Sequence, residues 1–155
     1  MKKKAIFPGS FDPFTKGHED IVRRATTLFD EIIISIGDNS AKKRFFELPL
    51  MIQKIEQTFE NTPGVSVQKF KGLTAKFAEK QQAKYIIRGL RNTTDFEFEN
   101  AIAQANKKVN PHLETVFLIT SPQHAYISST ITRDLYKYGG DISDFVPYKL
   151  EKREL

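Results

Sequence analysis

Residues 5–36 read A-I-F-P-G-S-F-D-P-F-T-K-G-H-E-D-I-V-R-R-A-T-T-L-F-D-E-I-I-I-S-I. Ala5-Ile6-Phe7 is apolar on both faces, as a strand buried in a parallel sheet must be. From Gly17 to about Phe29, the apolar residues Ile21, Val22, Ala25, Leu28 and Phe29 recur at helical spacing. Glu31 to Ile36 is β-branched, closed by Gly37, and is the clearest strand in the chain. Between the first strand and the helix, Phe7–His18 is too rich in Gly and Pro to be either element. A strand-to-helix turn gathers free N–H groups and a positive helix terminus at one point, which suits a phosphate. His18 falls at the helix opening, where its imidazole can face whatever the turn holds.

The same alternation continues outward. Asp38 to Phe46 is a basic loop carrying Lys42, Lys43 and Arg44. Pro49 suits the first turn of a second helix, with Leu48, Met51, Ile52, Ile55 and Phe59 on one face. Val65–Phe70 alternates as a strand. Thr74–Gln82 reads as a short helix with Phe77 and Ala78 inward, and Tyr85-Ile86-Ile87 as a fourth strand ending at Arg88-Gly89-Leu90-Arg91. A longer helix is expected from Asp95 to Val109, with Phe98, Ala101, Ile102, Ala105 and Val109 forming its buried stripe. Thr115–Ile119 is a fifth strand, and Ser128-Ser129-Thr130 opens a last helix that Gly139-Gly140 ends. Residues 148–155 read as a charged, frayed tail. Five strands alternating with helices predict an α/β fold, one parallel sheet wound doubly with helices on both faces. The polar stretches after the strands then all open on the same edge of the sheet, where such folds bind ligands.

Composition narrows the function. The chain has 155 residues, 39% apolar and 28% charged, which fits a single globular domain spanning 1–155. There is no cysteine, hence no disulfide, thiolate metal site or thiol nucleophile. No run approaches the roughly 20 apolar residues of a membrane span, and only three apolar residues follow the basic start, so no signal peptide is expected. A cytoplasmic location is the simplest expectation. The net charge of +5 suits nucleic acid or a polyanionic small molecule; the basic residues are scattered, which favours the small phosphate. His112 and His124 have no ligand spacing with His18, so no protein-built metal site is expected.

The opening loop matches neither the P-loop nor the dinucleotide glycine pattern. Ser10-Phe11-Asp12-Pro13-Phe14-Thr15-Lys16-Gly17-His18 closely resembles the T/S-F-D-P-x-x-x-G-H signature of the nucleotidyltransferase superfamily. Ile87-Arg88-Gly89-Leu90-Arg91, with Asp95-Phe96-Glu97-Phe98-Glu99 downstream, resembles a segment of the phosphopantetheine adenylyltransferases. Ile127-Ser128-Ser129-Thr130, followed by Arg133, does so too. The resemblance covers nearly the whole chain in order. It departs at Ser10, where Thr is commoner, and at Phe45-Phe46, which replace a small-Pro-apolar stretch.

The resemblance implies a Rossmann-like fold and transfer of AMP from ATP to 4′-phosphopantetheine, giving dephospho-coenzyme A and pyrophosphate. His18, as transition-state stabiliser, would act with Lys42 and Arg91. ATP would lie against Ser10, Phe11, His18, Gly89, Leu90, Arg91 and Glu99, and against the loop His124, Ala125, Tyr126, Ile127, Ser128, Ser129 and Thr130. The acceptor would lie against Ser10, Lys42, Thr74 and Arg88. Mg2+ would enter with ATP. A homohexamer and feedback binding by coenzyme A are further implications, with no nucleic acid and no membrane partner. Two alternatives remain at this level: a sister nucleotidyltransferase with another phosphate acceptor, or a basic nucleic-acid-binding module.

Overall fold

The β-branched and aromatic runs form five strands of one parallel sheet in the computed structural model of the protein, which describes residues 1–151. The strands are β1 (Lys4–Gly9), β2 (Glu31–Gly37), β3 (Val65–Phe70), β4 (Tyr85–Leu90) and β5 (Glu114–Ile119). The helices are α1 (Lys16–Ala25), α2 (Leu48–Thr58), α3 (Thr74–Lys80), α4 (Thr93–Val109) and α5 (Ser129–Lys137). The strand order is β3-β2-β1-β4-β5, so the chain reverses its winding direction between β1 and β4. Ligands of doubly wound sheets bind at such a reversal.

Side chains alternate across the sheet. Phe7, Ile32, Ile34, Ile36 and Ile87 pack on one face with Ile21, Val22 and Ala25 of α1 and with Met51 and Ile55 of α2. Ile6, Ile33 and Ile86 pack on the other with Ala75, Phe77 and Ala78 of α3. The β1–β2 ladder runs the full length of β1. The β1–β4 ladder pairs only Ala5 with Tyr85 and Ile6 with Ile86, although both strands run on. A crevice therefore opens between Pro8–Gly9 and Arg88–Leu90, and an Arg88 Nη1–H donates across it to the Pro8 carbonyl.

Three expectations need correction. β4 continues through Arg88, Gly89 and Leu90, because pairing with Phe117, Leu118 and Ile119 of β5 carries them past the expected strand end. In α4 the expected buried stripe faces outward: Phe98 is 67% exposed, and Ala101, Ile102, Ala105 and Val109 are exposed as well. Glu99 is the buried residue of that helix, held inward by Arg88. The tail is anchored over residues 148–151; the rest of the expected frayed segment, 152–155, lies outside the described residues. Tyr148 packs on the core and its hydroxyl donates to the Phe14 carbonyl at 2.7 Å, while the Tyr136 hydroxyl donates to the Glu151 carbonyl at 2.8 Å. Burial, reinforced by Asp12, pushes the Tyr148 hydroxyl upward, so it stays a neutral donor. Tyr148→Phe removes one partner of the Phe14 carbonyl and is expected to destabilise the fold by about 1–2 kcal/mol, read by urea unfolding.

Candidate active site

The loop between β1 and α1 is shaped by how tightly it packs. A Cβ on Gly9 would lie 2.9 Å from two atoms of the Phe11 ring, so only glycine lets that ring fold back over the strand end. Phe11 itself has a φ of 45°, the left-handed region that non-glycine residues rarely adopt. The loop's carbonyls are held from outside. Arg44 donates to those of Ser10 (2.6 Å) and Phe11 (3.0 Å), Arg133 to that of Asp12 (2.7 Å) and the Ser129 hydroxyl to that of Pro13 (2.9 Å).

Thr15 caps α1. Its hydroxyl accepts from the His18 N–H at 3.4 Å, while the Thr15 N–H donates to His18 Nδ1 at 3.0 Å. This is the reciprocal capping box with histidine in the place of the usual Glu or Gln. Because Nδ1 accepts, the proton of the neutral imidazole sits on Nε2, on the side away from the cap. Phe11 and Phe14 flank the ring at 5.0 and 5.3 Å between centroids. Burial first, then the positive charges of Arg88 and Arg91, hold the His18 pKa down at about 3. At neutral pH His18 is an uncharged N–H donor.

A cavity of about 320 Å3 opens at this point. Ser10, Phe11, His18, Gly89, Arg91 and Glu99 line it, as does Arg88, which the sequence places on the acceptor side. His124, Ile127, Ser128, Ser129 and Thr130 close it from the segment leading into α5. The Ser128 side chain caps α5 by accepting from the Ile131 N–H at 3.1 Å. Arg133 Nη2 donates to Thr130 Oγ1 at 3.3 Å.

The two arginines of β4 and its following turn are oriented by carboxylates. Arg88 makes a two-point pair with Glu99, Nε to Oε2 at 2.7 Å and Nη2 to Oε1 at 2.6 Å. Arg91 pairs with both oxygens of Asp95, at 3.0 and 3.2 Å. Burial pushes the Asp95 carboxyl up, but hydrogen bonds and charge from Arg91 outweigh it and leave the group below its usual range. Glu99, expected to face the nucleotide, lines this cavity, and both its oxygens are engaged by Arg88. Gly89 was expected to let the backbone approach the nucleotide. Its missing side chain also admits Ile21, whose Cγ1 would lie 3.2 Å from a Cβ there, and so lets α1 sit close to β4.

A second cavity, about 240 Å3, lies on the other side of Arg88 and Glu99. It shares Gly9 and Ser10 with the first and contains Thr74, together with Gly37, Phe70 and Asn106. Thr74 and the nucleotide-side residues thus meet at one wall. Lys42, Leu90, Ala125 and Tyr126 line neither cavity. Lys42 is exposed on the loop after β2, and Tyr126 is exposed with its ring edge against Phe145. Among the described residues no group of three or more His, Asp or Glu side chains is placed to hold a metal. Among the same residues no helix is long and apolar enough to cross a membrane.

Sequence reasoning missed Thr15, Arg44 and Asp95. The first left a signal, a hydroxyl residue three positions before a polar one at a helix start. Asp95 likewise stands four residues after Arg91 beside an expected helix start. Arg44 left none, since its two acceptors in the opening loop are backbone atoms some 33 residues away.

A crevice at the reversal of a parallel sheet, holding a neutral imidazole and oriented arginines, is built for phosphates. Residues 6–135 match the cytidylyltransferase-like family, which sets the class as nucleotidyl transfer on a Rossmann-like sheet. A bifunctional NMN adenylyltransferase/ADP ribose pyrophosphatase from Francisella tularensis shares the fold, with a TM-score of 0.72 at 17% identity over 96% of this chain and 46% of that one. The phosphopantetheine adenylyltransferase of Cytophaga hutchinsonii is 63% identical over 97% of this chain and 100% of its own length. That of Flavobacterium johnsoniae is 53% identical over 94% and 95%. The chain belongs to the phosphopantetheine adenylyltransferases.

Proposed function

We propose that this protein transfers the adenylyl group of ATP to the phosphate of 4′-phosphopantetheine, forming dephospho-coenzyme A and pyrophosphate, the penultimate step of coenzyme A biosynthesis. The observation that carries the reading is His18, neutral, lining the cavity with its Nδ1 taken up by the helix cap and with Arg88 and Arg91 in the same lining. A phosphate monoester has a second pKa near 6, so the acceptor is already a nucleophile at neutral pH and no general base is needed. The protein's task is to align two polyanions and to neutralise charge on the α-phosphate and the leaving pyrophosphate. His18 and Arg91 do so from the larger cavity, with Ser10 and the Phe11 N–H at the phosphates. MgATP is the substrate, its magnesium bound largely through phosphates and water.

The acceptor's arm occupies the smaller cavity against Thr74, which brings its phosphate to the wall formed by Ser10 and Arg88. Lys42, a flexible cation on the loop after β2, swings onto that phosphate as the substrates meet. Residues 1–155 act as one nucleotidyltransferase domain in the cytoplasm. The outward apolar residues of α4 support assembly of several copies, for which a hexamer is the proposed state, and coenzyme A is the proposed feedback ligand. Clustering of Arg88, Arg91 and Arg133 in the lining of one cavity supports small phosphates over nucleic acid as the partner.

The test is pyrophosphate release from MgATP. Release is expected only when 4′-phosphopantetheine is present, and not with nicotinamide mononucleotide. Release without acceptor, or equal release with the mononucleotide, overturns the assignment of the substrate.

A further inference from the structure

We infer that Arg44 is a positioning residue for phosphate binding, turning the Ser10–Phe11 and Phe11–Asp12 peptides so that their N–H groups face the nucleotide cavity. The inference rests on the reading of that cavity as the ATP site. Arg44 is the one cation of the basic loop after β2 that is withdrawn from solvent, its side chain 16% exposed. Its guanidinium holds three carbonyls at once: Nη1 that of Ser10 at 2.6 Å, Nη2 that of Phe11 at 3.0 Å and Nε that of Phe46 at 3.0 Å. The link is reciprocal. The Asp12 carboxylate accepts from the N–H groups of Phe45 (2.9 Å) and Phe46 (2.8 Å), and lies 4.0 Å from Arg44 Nη2. The two loops are thereby joined at four hydrogen bonds, two of them to the peptides in question.

A trans peptide points its N–H opposite to its C=O. Arg44 does not line the cavity, whereas Ser10, Phe11 and Asp12 do. Drawing the Ser10 and Phe11 carbonyls toward Arg44 therefore turns the N–H groups of Phe11 and Asp12 toward the cavity. Neither of these N–H groups donates to any group among the described residues. Buried peptide N–H groups are rarely left without an acceptor, and Phe11 is 4% exposed. Two adjacent donors without protein acceptors, beside His18 and a helix start, suit the oxygens of a phosphate chain. The arrangement also holds Phe11 in its left-handed conformation, which would otherwise relax. A planar five-donor fork can hold three carbonyls in fixed directions; an ammonium cannot.

The test compares the wild type with Arg44→Met and Arg44→Lys. MgATP is titrated without acceptor, by calorimetry and by amide 1H–15N spectra. In the wild type the Phe11 and Asp12 amide resonances are expected to shift on adding MgATP. Arg44→Met is expected to weaken MgATP binding by roughly 10–100-fold, and Arg44→Lys to recover part of it through one carbonyl. A wild type in which neither amide responds overturns the inference. So does an Arg44→Met protein that is less heat-stable but binds MgATP with unchanged affinity and amide shifts. Should Arg44→Met fail to fold, Arg44→Lys and the wild-type spectra decide: full wild-type affinity in the lysine variant overturns the inference. Because no acceptor is present, an enzyme that turned out not to use 4′-phosphopantetheine would leave this result standing.

Discussion

His18→Ala is expected to lower kcat by about 10²–10³-fold, the usual cost of removing one preorganised donor from a transition state. The KM for ATP should move much less, since the donor acts on charge that develops during transfer. The fold should survive, because the Thr15 hydroxyl still accepts from the backbone N–H of residue 18. Circular dichroism with steady-state kinetics checks both parts; an unchanged kcat would remove His18 from the mechanism.

The same residue carries a pH signature. Its pKa is depressed from 6.5 to about 3, by burial and then by Arg88 and Arg91. The unfolded chain therefore binds a proton that the folded protein refuses between those values. The stability tied to neutral His18 is fully present above about pH 6.5 and is lost progressively as pH falls toward 3. His18→Ala should flatten unfolding free energy against pH in that window. Activity should behave differently: kcat/KM should fall below about pH 6 as the acceptor phosphate gains a proton. That acid limb should persist at the same pH in His18→Ala.

Glu99→Ala is expected to be the most destabilising of the site substitutions, by about 3 kcal/mol, because it strips a nearly buried arginine pair of its anion. Full burial would make the cost larger, but Arg88 is 28% exposed and water can reach it. Adding Arg88→Met to Glu99→Ala should restore part of the loss, since an apolar side chain in place of an unpaired charge is well tolerated there. Urea unfolding of the two single variants and the double variant gives the coupling directly. A double variant no more stable than Glu99→Ala would show that the unpaired charge is not the cause. Arg88 released from Glu99 would also lose its orientation between the two cavities, so kcat should fall in Glu99→Ala even where the protein remains folded.

α4 shows why periodicity alone misleads. Phe98, Ile102 and Val109 recur as a core stripe should, yet the helix turns them outward and buries Glu99. A hydrophobic pattern says that a face needs cover; it does not say whether this sheet or another surface supplies it. The tail misled in the opposite direction. Its charge suggested fraying, but Tyr148 and Leu150 pack on the core, the Tyr148 hydroxyl reaches the opening loop and the Tyr136 hydroxyl holds the Glu151 carbonyl. Composition averages over a segment, whereas anchoring depends on a few particular side chains.

Elements that depend on neighbouring residues were legible in the chain itself. The β-branched run of β2, the Pro49 helix start, the Ser128 cap and the turn before His18 follow from backbone sterics and side-chain reach within a few residues. They were enough to predict a parallel α/β sheet and to mark its strand-end loops. The order β3-β2-β1-β4-β5 was not legible, and it is what sets the loop after β1 beside Arg88. Nor was the sharing of Arg88 between Glu99 and the Pro8 carbonyl, or of Arg44 between two loops. Those contacts join residues up to 80 positions apart, and several of them end on backbone carbonyls, which every residue carries alike. Local pattern therefore marks the strand-to-helix loop and its histidine, while the sheet's winding decides which arginines face that loop and which ones hold it in shape.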